Sequence, residues 1–388
     1  MLALLLASAW AGAVVNVDVV ERNAKGVQAW RIEQLYDAGW IKKVDIETTS
    51  DGRPVILASQ DYTSDGRWET NVWLWTMQMP GVWLQESVGA RNLYSSLALD
   101  SHDTPHVAMT QNVADHVNNR WDIGLYYTTR DGQGGWPETF IALAEEAVIR
   151  VDNNDRPHII YIDPPSLALV DATLRDGEWV KTVVLESPAP WDSWVRFDFR
   201  FGQDGKLHLI TKAANGMNYL RLTPDLQPVL HEVFLPGNRG FVHLALDSQD
   251  EPTISYEIGW NLATAKRDAT GWHETVHPFT AAGNDIIIDS HDRPHIAYRA
   301  NQPLSTNPLS NHLQYATQNE SGDWHYQPLF VDPDGQAWRP TVDPYDNPHI
   351  GYVMGRSVVG PQRYDDVRYA TLATTAISPL AALLADLP

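Results

Sequence analysis

The side chains in this sequence that could do chemistry are carboxylates, imidazoles, guanidiniums and indoles. Among 388 residues there are 49 Asp and Glu, 28 Lys and Arg, 14 His and 16 Trp, and no Cys. Without Cys, disulfides, thiolate metal sites, iron–sulfur clusters and thiol nucleophiles are excluded. Two histidine pairs, His102/His106 and His291/His295, have the i,i+4 spacing that brings metal ligands together on a helix. Each pair, however, brackets an Asp-x-Pro turn. An Asp capping turn amides, with Pro fixing φ, accounts for the pattern without chemistry. No metal ligand is therefore assigned and no cofactor is expected, although the plentiful oxygen donors would suit Ca²⁺.

Arginine offers a second kind of chemistry. Arg91, Arg196, Arg239 and Arg339 recur at comparable places in the chain, and Arg299 and Arg356 stand in polar segments. Guanidiniums converging on a pocket would take carboxylates or sulfates bidentately. Salt bridges to Glu145, Glu146, Asp192 and Asp285 are the competing reading. Indoles offer a third: Trp40, Trp68, Trp121, Trp191, Trp194, Trp260 and Trp338 lie beside polar residues, where flat rings stack on sugars. The predicted ligand contacts are Tyr62, Trp68, His116, Trp121, Trp191, Trp194, Arg239, Arg299, Trp338 and Arg339. No catalytic residue is assigned. For a polysaccharide lyase, Tyr62 or His116 would be the base, with Arg299 and Arg339 neutralising the uronate.

These residues are positioned by a repeat. Asp100–His106, Asp152–His158, Asp247–Thr253, Asp289–His295 and Asp343–His349 share an Asp-x-x-Asp-x-Pro core, with looser copies at Ser50–Val55 and Gln203–His208. Aligned on the residue after the Pro position, the copies fall at 55, 106, 158, 208, 253, 295 and 349. The period is about 49 residues. Each unit reads as four short strands, the first two nearly continuous apolar runs. The fourth strand opens on Trp83, Trp136, Trp179, Trp272 or Trp324. The last unit lacks that strand, and the segment from Gly26 to Leu35, with Trp30, matches it. The reading is an all-β, seven-bladed β-propeller of four-stranded blades, residues 14–372, its ring closed by the N-terminal strand completing the last blade. Loops between second and third strands lie opposite the Asp turns. They are long in units one, two, six and seven (60–70, 110–122, 299–312 and 354–366), which predicts a wall along one side of that face.

The turns between third and fourth strands, Asp131–Trp136, Asp176–Trp179 and Asp268–Trp272, resemble the Ser-x-Asp-x-Gly-x-x-Trp box of bacterial Asp-box (BNR) propellers, without its regular Ser. The resemblance spans about residues 26–372. It implies the fold of sialidases, some polysaccharide lyases and lectins. Trp338-Arg339-Pro340 is also similar to the Arg-Ile-Pro segment of sialidases, though no Tyr–Glu nucleophile pair is assigned here to match theirs.

The net charge of −21 argues against nucleic acid and anionic membranes as partners. No stretch has the length and apolarity of a membrane-spanning helix. Residues 1–13 read as a signal peptide ending in Ala11-Gly12-Ala13, implying a secreted, periplasmic or cell-surface protein. Residues 373–388 form an apolar C-terminal tail. The expectation is an exported recognition module that binds a glycan or other extended ligand on its loop-bearing face. A polysaccharide lyase or glycosidase-like enzyme is the first alternative, and a protein–protein scaffold the second.

Overall fold

A computed structural model describes residues 16–19, 30–37, 40–62, 70–90, 94–115, 120–186, 197–213, 216–235, 239–300, 313–329, 338–359 and 362–372. Among them are 28 β-strands and no helix. Blade I comprises Trp40–Thr48, Pro54–Tyr62, Asn71–Met79 and Val82–Gly89. Blade II comprises Ser95–Leu99, Pro105–Asp115, Arg120–Thr129 and Glu138–Leu143. Blade III comprises Ala147–Val151, Pro157–Ile162, Leu169–Arg175 and Glu178–Leu185. Blade IV comprises Phe197–Phe201, Leu207–Ala213, Gly216–Leu222 and Pro228–Phe234. Arg239–Leu246, Pro252–Ile258 and Asn261–Asp268 begin blade V. The long strand Gly271–Ile288 closes blade V with its first half and opens blade VI with its second. Pro294–Ala300, Leu313–Gln318 and Trp324–Pro328 complete blade VI.

Trp338–Val342, Pro348–Val359 and Gln362–Leu372 begin blade VII, and the N-terminal Trp30–Asp37 is its fourth strand. The pairing runs antiparallel from Trp30↔Leu372 to Asp37↔Asp366, as the repeat predicts. Asn16–Val19 adds a fifth strand outside it. Neighbouring inner strands pack in succession around the blades, and that of blade VII packs against that of blade I. The apolar core is correspondingly divided. Each cluster lies between two adjacent blades, including one of Ile41, Ile46 and Trp75 with Val353, Val367 and Tyr369 at the VII–I junction. Burying both faces of every sheet is what makes the inner two strands read as apolar runs.

The recurring turn explains the motif atom by atom. In all seven blades the fourth turn residue donates its amide to the first residue's carbonyl at 2.9–3.1 Å. That fourth residue is left-handed. It is Gly52 (φ 86°) and Gly205 (φ 75°) in blades I and IV, and in the other blades Asp103, Asp155, Asp250, Asp292 and Asp346, with φ between 58° and 62°. Asp tolerates this conformation better than most residues, and here its carboxylate also reaches the preceding blade. Ser248 donates its amide (2.6 Å) and hydroxyl (2.8 Å) to Asp292. Ser50 does the same to Asp103, Ser101 to Asp155 and Ser290 to Asp346. Where Gly replaces Asp, Asn153 Nδ2 donates to Gly202 O at 3.0 Å, and Thr48 Oγ1 to Val342 O at 2.9 Å.

The histidine after the Pro belongs to the same framework. Its Nε2 faces the first Asp of the turn (His295–Asp289 3.0 Å, His106–Asp100 3.4 Å). In three of the four its Nδ1 meets a third-strand tyrosine: His106 pairs with Tyr127 at 2.7 Å, His295 with Tyr315 and His349 with Tyr369, whereas His158 meets Asp171 and Thr173 of the third strand. Those tyrosines in turn receive the framework tryptophan of the next blade edge-on. Tyr127 meets Trp179, Tyr315 meets Trp30 and Tyr369 meets Trp83, at centroid distances of 4.8–5.2 Å. The loops read as long in units two and seven are instead mostly extended hairpins. Pairing continues to Asp115↔Arg120 and Val359↔Gln362, because ladder hydrogen bonds satisfy backbone that a loop would leave to water. The long segments 63–69 and 301–312, residues 1–13 and the tail 373–388 lie outside the described residues.

Two outcomes follow. Asp292→Ala loses two hydrogen bonds and strains the left-handed site, whereas Asp292→Gly loses only the bonds. The urea midpoints should therefore show Gly less damaging by about 1 kcal/mol; equal midpoints would refute the strain, and a wild-type midpoint in both would refute the hook. Burial also holds the imidazoles of His208 and His277 down to about 4, against an ordinary 6.5. The unfolded chain binds these protons first, so stability is full above about pH 6.5 and falls towards pH 4, by on the order of 3 kcal/mol per histidine. Chemical denaturation across that range should show the slope, and His208→Gln with His277→Gln should flatten it.

Candidate functional site

The inner strands meet at the axis with one edge unpaired, so their free amides need acceptors. In four blades the residue four positions before the turn supplies one. Counted from the turns, that position is Asp45, Ser96, Val148, Asp198, His243, Asp285 and Arg339 in blades I to VII. Asp45 accepts its neighbour's Ile46 N at 2.9 Å and, from blade II, Leu97 N at 2.8 Å and Ser96 Oγ at 3.2 Å. Ser96 Oγ accepts Ile149 N of blade III at 3.3 Å. Asp198 accepts Phe199 N at 2.9 Å and Leu244 N of blade V at 3.1 Å. Asp285 accepts Ile286 N at 2.7 Å. Strand alternation places the next ring two residues on, where Glu47, Arg150 and Arg200 stand.

Carboxylates buried in this way require counter-charge. Arg339, 9% exposed, bridges Asp45 Oδ1 (2.9 Å) and Asp285 Oδ2 (3.2 Å), closing blade VII onto blades I and VI. Arg150 Nη2 and Arg200 Nη1 converge on Asp198 Oδ1 at 3.0 and 2.9 Å. Desolvation works against the ionised Asp198 and Asp45, yet the guanidiniums prevail and both stay ionised below the usual range, Asp198 through Arg200 and Arg150 and Asp45 through Arg339. Burial, with Arg200 and Arg339 nearby, lowers Arg150 to about 10. For Glu47 burial wins, and its carboxyl is raised. Burial likewise lowers His243, despite Asp285 and Asp198 beside it.

Above this ring is an axial cavity of about 440 Å³, within the range of small-molecule sites. All seven blades line it, through Lys42 and Lys43, Tyr94, Glu146, Phe197 and Asp198, Phe241 and His243, Asn284 and Asp285, and Arg339. Arg299, at the end of the second strand of blade VI, also lines it. The cavity therefore opens on the face opposite the Asp turns, the face predicted to bear the loops. Of the predicted contacts, the structure brings Arg299 and Arg339 together here. Tyr62, Trp121, Arg239 and Trp338 lie in strands, with side chains outside the described residues, and Trp68, His116, Trp191 and Trp194 lie wholly outside them. Of the other loop-face indoles, Trp260 is 68% exposed at its hairpin turn.

The competing salt-bridge reading holds for Arg339 and Asp285. Sequence reasoning missed Asp45, Asp198 and His243. Their signal was a column of the repeat, the position four before each turn, whose residue type varies from blade to blade. Because the column is not conserved in type, it does not announce itself as a motif. Replacing Arg339 by Met should strand Asp45 and Asp285 and cost about 3–5 kcal/mol in denaturant unfolding. Arg339→Lys should recover only part of that, because one ammonium cannot reproduce the two-sided fork.

No protein-family model and no curated protein matches the sequence. Solved structures do. An oligogalacturonate lyase in complex with manganese aligns over 94% of this chain and 98% of its own, with 12% identity and a TM-score of 0.54. A Lactobacillus plantarum protein aligns over 87% and 100%, with 13% identity and a TM-score of 0.50. A mutant of the NanB sialidase from Streptococcus pneumoniae aligns over 87% and 70%, with 11% identity and a TM-score of 0.48. The turns compared with the Asp box do not share one geometry. Asp176 and Gly177 form a two-residue turn with φ of 51° and 83°, while Asp131 holds a longer loop by accepting Gln133 N and Gly135 N. The likeness of this chain to known proteins is therefore one of fold: it is a β-propeller.

Proposed function

We propose that this propeller is a recognition module that holds a saccharide unit of a glycan, or of another extended acidic ligand, in the axial cavity of its loop-bearing face. The observation that carries the reading is the lining. Lys42, Lys43 and Arg299 stand beside the rings of Tyr94, Phe197 and Phe241 and the acceptors Asn284, Asp198 and Asp285. Cations attract a carboxylate or sulfate, rings cover a sugar face, and amides and carboxylates receive its hydroxyls. In a chain of net charge −21, cations gathered at one cavity give an anionic ligand a local target. The hairpins of blades II and VII flank blade I on this face and lengthen the surface along which a chain could lie. Export, signalled by residues 1–13, would place the module where extracellular polysaccharide is met.

A second reading is β-elimination on a uronate polymer. It is favoured by Arg299 lining the cavity, where a guanidinium can pair with a uronate carboxylate. The scaffold accommodates such chemistry in a neighbour that is an oligogalacturonate lyase.

A glycan array rich in uronates and sulfated sugars, run beside an ultraviolet absorbance assay for unsaturated uronate products, separates the readings. Retention without absorbance supports recognition, and absorbance supports the lyase. Arg299→Ala should weaken retention at least tenfold with Tm unchanged. Silence in both assays would overturn both readings.

A further inference from the structure

The geometry points to a divalent cation site of the Zn²⁺ or Mn²⁺ type in the wall of the axial cavity, formed by Asp198, His243 and Asp285 from three successive blades. Their ligand atoms lie within 4.8 Å of one another. His243 Nδ1 is 3.4 Å from Asp285 Oδ1 and 3.9 Å from Asp198 Oδ2. Among the described residues neither ring nitrogen of His243 makes a hydrogen bond, so the space between imidazole and carboxylates is wider than a shared proton needs. At Asp285 the separation is what an ion needs, and at Asp198, at 3.9 Å, it is somewhat wider. Donors bound about 2.1 Å from a tetrahedral ion stand about 3.4 Å apart.

All four carboxylate oxygens have partners: Asp198 Oδ2 accepts Leu244 N at 3.1 Å and Asp285 Oδ1 accepts Ile286 N at 2.7 Å, each keeping a further lone pair for an ion. Asp198 Oδ1 takes Arg150 and Arg200 at 3.0 and 2.9 Å, and Asp285 Oδ2 takes Arg339 at 3.2 Å. Outer partners of this kind fix the orientation of first-sphere carboxylates in metal sites, and here they aim Asp198 Oδ2 and Asp285 Oδ1 at the imidazole. Imidazole suits Zn²⁺ and carboxylates suit Mn²⁺, so one imidazole with two carboxylates is a mixed donor set open to either ion. The His243 side chain is 27% exposed, so an ion can enter from the cavity and keep a position facing it. A second triad, Asp289, His291 and Asp346, provides the contrast. There His291 Nδ1 lies 2.7 Å from Asp346 Oδ2, the distance of an ordinary hydrogen bond.

The site stands whether or not a saccharide enters the cavity. The test is calorimetric titration of the chelator-stripped full chain with Zn²⁺ and with Mn²⁺, each alone. One ion per chain is expected, with a rise in Tm on loading. His243→Gln and Asp285→Asn should each weaken binding at least tenfold, and His291→Ala should leave it unchanged. If Asp285→Asn fails to fold for want of an Arg339 partner, His243→Gln decides, because that imidazole caps no backbone. Absence of binding by the stripped protein, equal affinity in His243→Gln, or loss confined to His291→Ala would each overturn the site. None of these results bears on the glycan array, so the two proposals fail separately.

Discussion

The structure depends on a ring of buried charge along the propeller axis. Seven inner strands present unpaired edges to one another, and a bare strand edge in a dry interior is costly. Asp45, Asp198 and Asp285 satisfy amides at those edges, two of them reaching into the next blade. The solution creates a second problem, because three carboxyl groups then sit a few percent exposed or less. Arg339, Arg150 and Arg200 answer it, and in doing so tie blade VII to I and VI and blade III to IV. Backbone satisfaction and ring closure are thus one electrostatic network, and the axial cavity is the space left above it.

Around that axis, the molecule separates support from chemistry by position in the blade. On the turn face, Asp, His, third-strand Tyr and the next blade's Trp form a relay from the turn to the blade junction, seen whole at His106–Tyr127–Trp179 and His349–Tyr369–Trp83. Every member has its partner in the framework. On the opposite face the residue types differ from blade to blade, and differing residues are what an asymmetric ligand requires of a pseudo-symmetric ring. The same strands therefore carry repeated chemistry at one end and particular chemistry at the other.

The repeat made much of this legible. The turn motif, its interval and the missing fourth strand of the last unit led to seven blades and to Trp30 in blade VII, and the pairing of Trp30 with Leu372 bears this out. Arg339 was legible as an axial residue for the same reason, since a strand-start position is common to all units. Arg299 was read as a loop residue and stands instead at the end of the second strand of blade VI, lining the axial cavity. The hairpins at 110–122 and 354–366 were read as loops because their polar residues lack apolar alternation, yet backbone pairing needs no apolar side chains. His243 and Asp198 escaped notice because each is alone in its unit, without a local motif.

What the sequence determined by itself was everything that recurs: strand periodicity, turn chemistry, blade number and the N-terminal closure. These rest on local conformational preference and on patterns repeated seven times, which a linear chain displays openly. What only the tertiary structure decided was which non-recurring residues meet. Asp198, His243 and Asp285 follow one another at intervals of 45 and 42 residues in the chain and are neighbours only because the ring brings equivalent positions together. A charge's environment, and so its protonation and its partner, is set by burial and distance. Neither exists until the blades have closed around the axis.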